Sequence, residues 1–267
     1  MSFLRQSFSD IINFSVPTSG SLIVWRRNFL YFKYTLMISF LWVFVEPLLF
    51  LGAIGYGLGS MIQEADGRPY LEFFFPALMV ASGMMVAFFE ATYGSYTKLT
   101  RQKTFQTMLL APLLPNDIVL GEIFWGTFKG WLSSSAVLLI CSFAGLVDFA
   151  GFFFLLFFNV VNAFVFASFA LLMASYAKNY DSFVYAQTCV IMPMYLFSGT
   201  YFPLSNVPPK IVWIAEFLPL THSVRIARSL AYGEFTSQIW ISLAVLILFG
   251  IIFLNWTASR LQRRLVN

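Results

Sequence analysis

Residues 93–120 read YGSYTKLTRQKTFQTMLLAPLLPNDIVL and connect two long apolar runs. Three basic residues open this stretch, and two prolines close it. Between them, apolar side chains recur at the spacing i, i+3, i+4, which predicts a short amphipathic helix over residues 104–110. That helix would consist of Thr104, Phe105, Gln106, Thr107, Met108, Leu109 and Leu110, preceded by Lys98, Arg101 and Lys103 and followed by Pro112 and Pro115.

The predicted helix at residues 104–110 allows two interpretations. Its apolar face, Phe105 with Met108 and Leu109, could dock a soluble partner on the basic side of a membrane. It could equally rest on the lipid headgroups as an interfacial helix. The spacing of the residues favours neither interpretation.

The composition is that of a membrane protein. The chain has 267 residues, of which 59% are hydrophobic and only 10% are charged, whereas soluble domains carry roughly 25% charged residues. This predicts an all-α, polytopic protein with one membrane domain. The net charge of +4 does not indicate nucleic acid as a partner. The basic residues are spread over loops at the membrane edges, where they act as topology signals.

Apolar segments long enough to cross ~30 Å of hydrocarbon predict six transmembrane helices. They cover, approximately, residues 35–56, 71–91, 119–143, 152–176, 183–202 and 239–256. The chain is therefore divided into an N-terminal cytosolic segment with an interfacial helix, a six-helix membrane domain and a basic tail. These parts comprise residues 1–34, 35–257 and 258–267.

Two segments outside the spans have a character of their own. Residues 21–34 mix aromatic side chains with basic ones, including Arg26 and Arg27, and this composition is typical of a helix lying in the membrane interface. Between spans five and six, residues 211–218 and 223–231 are apolar but too short to cross. They are predicted to be re-entrant or interfacial helices.

The distribution of lysine and arginine predicts the orientation of the protein. Eleven lie on the side of the termini and of the loop at residues 93–120, four lie on the other side, and Lys129 falls inside a span. Because cytosolic loops are enriched in these residues, both termini and that loop are expected in the cytosol.

Four charged residues are expected within or at the ends of spans. Glu46, directly before Pro47, must face the protein interior or water, because a carboxylate in lipid is costly. It could tie span one to a neighbour, with Lys129 as the available cation, or face a translocation path. Glu122 and Lys129 are seven residues apart, on one helical face but too far apart to touch. Each is expected to meet a partner on another helix or to reach the membrane interface. Glu90 ends span two.

No catalytic or metal site is predicted. The phosphate-binding pattern G-x-x-x-x-G-K-[ST] is absent, so the chain is not expected to hydrolyse ATP itself. No G-x-S-x-G turn surrounds Ser198 or the serines at residues 133–135. The single histidine, His222, is expected to form structural hydrogen bonds near a helix start. The chain is thus expected to be neither an enzyme nor a metal or cofactor binder.

Several short blocks resemble the ABC-2 family of ATP-driven exporters. The most specific is PLTH at residues 219–222, with Pro219 and His222, followed by Arg228 and preceded by SGTYFP at residues 198–203. Further blocks, WRRN at 25–28, EPL at 46–48, FEATYG at 89–94 and DIVLGE at 117–122, are similar to the branch of nodulation protein J-like permeases. The resemblance covers about residues 25–232.

The resemblance implies a function. In this family two six-span subunits pair, and each docks a separate nucleotide-binding subunit, which holds ATP and magnesium. The loop between spans two and three carries the coupling helix, here residues 104–110, and the interfacial helix with Arg26 and Arg27 also contacts the ATPase. Substrate, an amphiphilic or lipid-linked saccharide, would pass out of the inner membrane between the copies, near Glu46 and Glu90. Pro219, His222 and Arg228 belong to the family signature.

Two other functions remain open from the residues alone. A stand-alone secondary carrier or channel would use charged relay residues and usually an internal repeat. Glu46, Glu90, Glu122 and Lys129 could supply the charges, but the two halves of the chain do not repeat. An ABC-2 drug exporter would share the features above.

Overall fold

The computed structural model describes residues 18–62 and 64–266, except the side chains of Ile38, Trp42 and Val266. Most of this part of the chain is helical. Among the described residues, four helices are long and apolar enough to cross a membrane, by length and composition. They are Tyr70–Thr100, Pro115–Phe143, Phe149–Tyr176 and Ser237–Leu265. These helices correspond to predicted spans two, three, four and six.

Helix α1 (Ser19–Tyr34) occupies the segment predicted to be interfacial, and predicted span one follows as a helical rod. The rod consists of α2 (Leu36–Phe40), a π-helical turn (Leu41–Val45), α3 (Glu46–Phe50), a second π-helical turn (Leu51–Tyr56) and α4 (Gly57–Gly59). Pro47 has no backbone N–H to donate to the preceding turn, and its ring crowds that turn. The widened first π-helical turn ends at Val45, two residues before Pro47, and the Glu46 N–H donates five residues back to Leu41 O.

A short hairpin leads into the second span. Strands β1 (Glu64–Ala65) and β2 (Arg68–Pro69) pair antiparallel, and Asp66 and Gly67 form the turn with positive φ angles of 52° and 72°. The span then consists of α5 (Tyr70–Phe89), a π-helical turn (Glu90–Gly94) and α6 (Ser95–Thr100).

The remaining helices follow in chain order. They are α7 (Thr104–Met108), α8 (Pro115–Phe143), α9 (Phe149–Tyr176), α10 (Asp181–Ala186), α11 (Met192–Phe197), α12 (Pro209–Ala215), α13 (Pro219–Tyr232) and α14 (Ser237–Val266). A π-helical turn (Gln187–Ile191) joins α10 to α11, so predicted span five is a second broken rod. This rod ends at Phe197, five residues before the predicted end.

Helices α5, α8 and α9 form the centre of the molecule and pack against one another. Gly83 of α5 and Gly130 of α8 let these two helices approach closely. A Cβ at Gly130 would lie 2.6 Å from the carbonyl oxygen of Gly83 and 2.9 Å from the Ala87 Cβ. In lipid, where helices gain little from hydrophobic burial, such small residues let backbones pack closely. Helix α1 packs on α8, α13 lies on α5 and α14, and α14 covers α9 with much of its surface exposed.

Candidate functional site

Helix α7 is shorter than predicted, and its apolar face points into the protein. It ends at Met108 rather than at Leu110. Phe105 is fully buried and Met108 is 9% exposed, whereas Leu110 is 89% exposed. The face left free for a partner therefore consists of Gln106, Thr107 and Leu110. The side with Phe105 and Met108, for which the sequence left open a docked partner or the lipid headgroups, is covered by the protein's own core.

The loop around α7 is fixed at both ends. Lys103 adopts a left-handed φ of 51° and reverses the chain between α6 and α7. The Gln106 side-chain amide donates to the Leu99 carbonyl oxygen at 3.3 Å. At the start of α8, the buried Asp117 carboxylate accepts from the Leu114 N–H at 2.9 Å, which caps that helix. A force on α7 would therefore be passed to α6 and to α8.

Helix α1 is attached to the same loop. The Thr18 hydroxyl, at the start of α1, donates to the Asp117 carboxylate, and Gly121 of α8 lets Val24 approach closely. Arg26 and Arg27 both lie on the exposed side of α1. Helix α1 and the loop around α7 thus share Asp117 as an anchor.

A buried carboxylate connects three helices next to this anchor. Glu122, 1% exposed, accepts from Lys98 Nζ at 2.7 Å, from Ser95 Oγ at 3.0 Å and from Asn28 Nδ2 at 2.9 Å. These donors belong to α6 and α1, while Glu122 belongs to α8. The prediction that Glu122 has a partner on another helix is confirmed. Charged hydrogen bonds of this kind are the strong ones in a low-dielectric interior.

Glu90 and Lys129 form a second pair, one that the sequence analysis did not assign. Lys129 Nζ lies 3.4 Å from Glu90 Oε2, and Trp125 Nε1 donates to Glu90 Oε1 at 2.6 Å. Lys129 Nζ also donates to Ser39 Oγ at 3.4 Å and lies 4.9 Å from the centre of the Phe32 ring. The pair therefore joins α8 to the π-helical turn after α5, to α2 and to α1.

A cavity of about 400 Å³ lies beside these two pairs. Arg27, Tyr31, Thr35, Glu90, Lys98 and Lys129 are among the residues that line it. Glu46 does not line this cavity and is partly exposed. Within the part of the chain that the structure describes, Glu46 makes no hydrogen bond or ion pair. The alternative in which Glu46 pairs with Lys129 is therefore wrong, because Lys129 is held by Glu90.

His222 lies in the first turns of α13 and is 4% exposed. Its Nε2 lies 2.9 Å from the Glu216 carbonyl oxygen, which can only accept, so Nε2 carries the proton. The Nδ1 atom then accepts from Ser242 Oγ at 3.2 Å. Both ring nitrogens are used to join the start of α13 to α14, which fits the predicted structural role.

Pro219 and Arg228, the other residues of the predicted signature, both belong to α13, which Pro219 begins and which ends four residues after Arg228. Pro219 is the first residue of the helix, where its missing N–H costs no hydrogen bond. The Arg228 guanidinium donates to Gly199 O at 2.7 Å and to Phe73 O at 3.2 Å, and its carbon lies 3.7 Å from the centre of the Phe73 ring. Burial lowers the pKa of Arg228 to about 10, so it remains charged at neutral pH.

Sequence reasoning missed Lys98, Asn28, Ser95 and Trp125 as members of these networks. Lys98 was counted only as a topology signal. The available signal was that the buried acids Glu90 and Glu122 each need a partner.

The comparisons with known proteins agree with the resemblance found in the sequence. The profile of the ABC-2 type transporter family matches residues 20–232. The chain is 31% identical over 255 residues to nodulation protein J of Rhizobium leguminosarum bv. viciae, covering 95% of this chain and 98% of that protein. It is 30% identical over 246 residues to nodulation protein J of Sinorhizobium fredii, with 92% and 94% covered. The inner membrane transport permease YadH of Escherichia coli is 23% identical over 206 residues, covering 77% and 80%.

Proposed function

Because the chain belongs to the ABC-2 type transporter family, we propose that it is the membrane subunit of an ATP-driven exporter in the inner membrane. It would pair with a second copy of itself and bind two separate ATPase subunits, which hold ATP and magnesium. The substrate would be a lipid-linked, glycolipid or other amphiphilic molecule. Both termini and the α7 loop would face the cytosol.

The anchorage of α7 supports the coupling role most directly. Its buried Phe105 connects it to the core, and the Asp117 cap and the Glu122–Lys98 pair connect its flanks to α8. Only the side with Leu110 is left for a partner. A partner that closes around ATP would push on the Leu110 side of α7. Because the anchors hold α7 against the protein, the motion would reach α8 and α1 and would not be absorbed by a flexible loop.

The two broken rods supply a surface for a second copy and for the substrate. The first rod exposes Leu36, Met37, Phe40, Leu49 and Phe50, and the second exposes Val184, Tyr185, Val190 and Leu196. Glu46 lies on the first rod. These apolar faces could contact either lipid or a second copy of the chain. If the substrate path runs between two copies, Glu46 would lie beside the substrate.

A stand-alone secondary carrier is the second candidate, and the ion pairs argue against it. A proton or ion relay needs charged groups that can change partners along the path. Glu122 is held by Lys98 and Glu90 by Lys129. Of the charged groups that the sequence offered for a relay, this leaves Glu46, which cannot form a relay alone.

The test is reconstitution of the chain, with and without its ATPase subunit, in lipid vesicles. Export of fluorescent lipid-linked saccharides is expected only with the ATPase and ATP, and an ATPase variant lacking its phosphate-loop lysine should abolish it. Transport that runs on an ion gradient without the ATPase would instead establish the carrier. A panel that also contains cationic drugs distinguishes a drug exporter from an amphiphile exporter.

A further inference from the structure

A cavity of about 730 Å³ lies at the end of the molecule opposite α7. Its walls come from the β1–β2 turn, the segment after α11, and α13. Tyr70 at this end donates its hydroxyl to Tyr201 O at 3.1 Å. The helix that begins at Tyr70 runs for 31 residues to Thr100 beside α7, a length of about 45 Å. The volume falls in the range of about 300–1,000 Å³ that is usual for ligand sites.

The charges around this cavity are balanced and held in place. The lining residues Arg68, Arg225 and Arg228 carry positive charge, and Asp66 and Glu234 carry negative charge. Arg68 pairs with Glu234 at 2.6 Å, and Arg225 pairs with Glu216, just outside the lining, at 2.5 Å. With Glu216 included, three positive groups face three negative ones. The cavity therefore offers many fixed hydrogen-bond donors and acceptors, and it has no net charge that would favour the binding of an anion or a cation.

Two buried hydroxyl groups in the lining have no hydrogen-bond partner within the described ranges 18–62 and 64–266. They are Ser198 Oγ and Thr221 Oγ1, on residues that are 1% and 2% exposed. A buried hydroxyl without a partner is costly, so a ligand group that bonds to it gains affinity. A hydroxyl group can both donate and accept a hydrogen bond. The ligand group that matches it in both respects is another hydroxyl.

A second, more apolar groove of about 570 Å³ adjoins the cavity and shares Leu204, Ser205 and Arg225 with it. Val207, Val212 and Trp213 line this groove. Trp213 is 68% exposed and makes an edge contact with Phe217 at 4.9 Å between ring centres. An apolar chain that leaves the polar cavity would thus meet an aromatic surface.

We propose that the cavity binds the uncharged, hydroxyl-rich head of an amphiphile, such as a sugar ring, while the adjoining groove holds its apolar chain. The site itself is argued from this chain alone, and its assignment to the outgoing substrate rests on the proposed function. Mixed guanidinium, carboxylate and hydroxyl groups match the several donors and acceptors of a sugar. A phosphate head would meet Asp66 and Glu234 as well as the arginines, so it fits less well.

The test is photo-crosslinking of the purified chain in lipid nanodiscs, without an ATPase, using hexyl β-glucoside with a diazirine in its chain. We expect the labelled peptide to contain residues of the Trp213 groove, and excess methyl β-glucoside to reduce the labelling. The double variant Ser198→Ala/Thr221→Val should label at least fivefold less at an unchanged melting temperature, because its lost hydroxyls have no hydrogen-bond partner in the part of the chain that the structure describes. Ser133→Ala is the matched control, since Ser133 is also buried, has no hydrogen-bond partner among the described residues, and does not line the cavity.

Equal labelling of the double variant and the wild type would overturn the proposal. The proposal would also be overturned if hexyl phosphate or hexanol, each carrying the same diazirine, labelled the groove as strongly as the glucoside does. Such labelling would show that the site recognises a charge, or the apolar chain alone, and not the sugar. If the double variant exports less substrate, the ligand of the site is the exported amphiphile. If its export is unchanged, the ligand is a glycolipid of the bilayer. Absent labelling with normal ATP-driven export would refute only the site. Specific labelling without ATP-driven export would refute only the proposed function.

Discussion

Lys129 Nζ lies 3.4 Å from Glu90 Oε2, and this pair joins the middle of α8 to the π-helical turn that follows α5. The side chains are 10% and 24% exposed, so most of their surface is covered by the protein. The π-helical turn widens the helix where Glu90 projects, and Trp125 donates to the other carboxylate oxygen. π-Helical turns occur often at functional positions.

The first prediction concerns this pair. Glu90→Gln should lower the free energy of unfolding by about 3–5 kcal/mol, because it leaves the Lys129 ammonium buried without its counter-charge. A second change, Lys129→Gln, should recover part of the loss, since no unpaired charge then remains. Detergent-induced unfolding of the purified protein measures both values. Equal stability of the wild type and the single variant would contradict the prediction.

The second prediction separates the two faces of α7. Leu110→Asp should leave the melting temperature unchanged but reduce co-purification of the ATPase, because Leu110 is exposed and faces the proposed partner. Phe105→Ala should instead lower the free energy of unfolding by about 3–5 kcal/mol, since it empties a fully buried site. Normal ATPase binding and ATP-driven export by Leu110→Asp would show that this face does not dock the partner.

The third prediction concerns orientation. In a background without Cys141 and Cys189, single cysteines at Gln102 and Ser205 should react with a membrane-impermeant maleimide from opposite sides. Gln102 belongs to the α7 loop and Ser205 to the far cavity, and both are exposed. We expect Ser205→Cys to label in intact cells and Gln102→Cys only after permeabilisation. Labelling of both in intact cells would rule out the six-span arrangement with cytosolic ends.

The fourth prediction tests the close approach of α5 and α8. Gly130→Ala should cost about 1–3 kcal/mol, because its methyl group would overlap the Gly83 backbone, which cannot move alone. Gly52→Ala is the control, since an added Cβ there meets no atom within 4 Å. It should be neutral or slightly stabilising, as alanine is the better helix former. Similar melting temperatures for both variants would rule out the close packing.

The helices were predictable from the sequence to a large extent, because hydropathy and length identify long apolar helices directly. The helices Tyr70–Thr100, Pro115–Phe143 and Phe149–Tyr176 contain the predicted spans two, three and four. The count of six crossings stays a prediction, since the rods from Leu36 to Gly59 and from Asp181 to Phe197 are broken. Pro47 and Pro193 lie in these rods, and proline signals a break but not the widened turn that relieves it.

The site was predictable only in part, because periodicity gives the face of a helix but not the neighbour that covers it. The apolar pattern at Phe105 and Met108 correctly indicated an amphipathic helix. It did not reveal that the protein's own core covers this face. Likewise, the sequence shows that Lys129 needs a partner, but the choice of Glu90 over Glu46 depends on how α8 packs.

The last prediction concerns Glu46, which has no hydrogen bond or ion pair among the described residues. It lies directly after a π-helical turn and before Pro47, on a rod with a broad exposed apolar face. A carboxylate within the membrane costs roughly 2.5–3.5 kcal/mol on insertion scales. Since Lys129 is held by Glu90, no ion pair of Glu46 within residues 18–62 and 64–266 offsets this cost. Glu46→Gln should therefore unfold at the wild-type temperature or slightly above it, in contrast to Glu90→Gln. If Glu46 faces the substrate path, the same variant should export a labelled lipid-linked saccharide at a changed rate with unchanged ATPase binding. Wild-type export together with wild-type stability would remove Glu46 from the path and leave the carboxylate without a role.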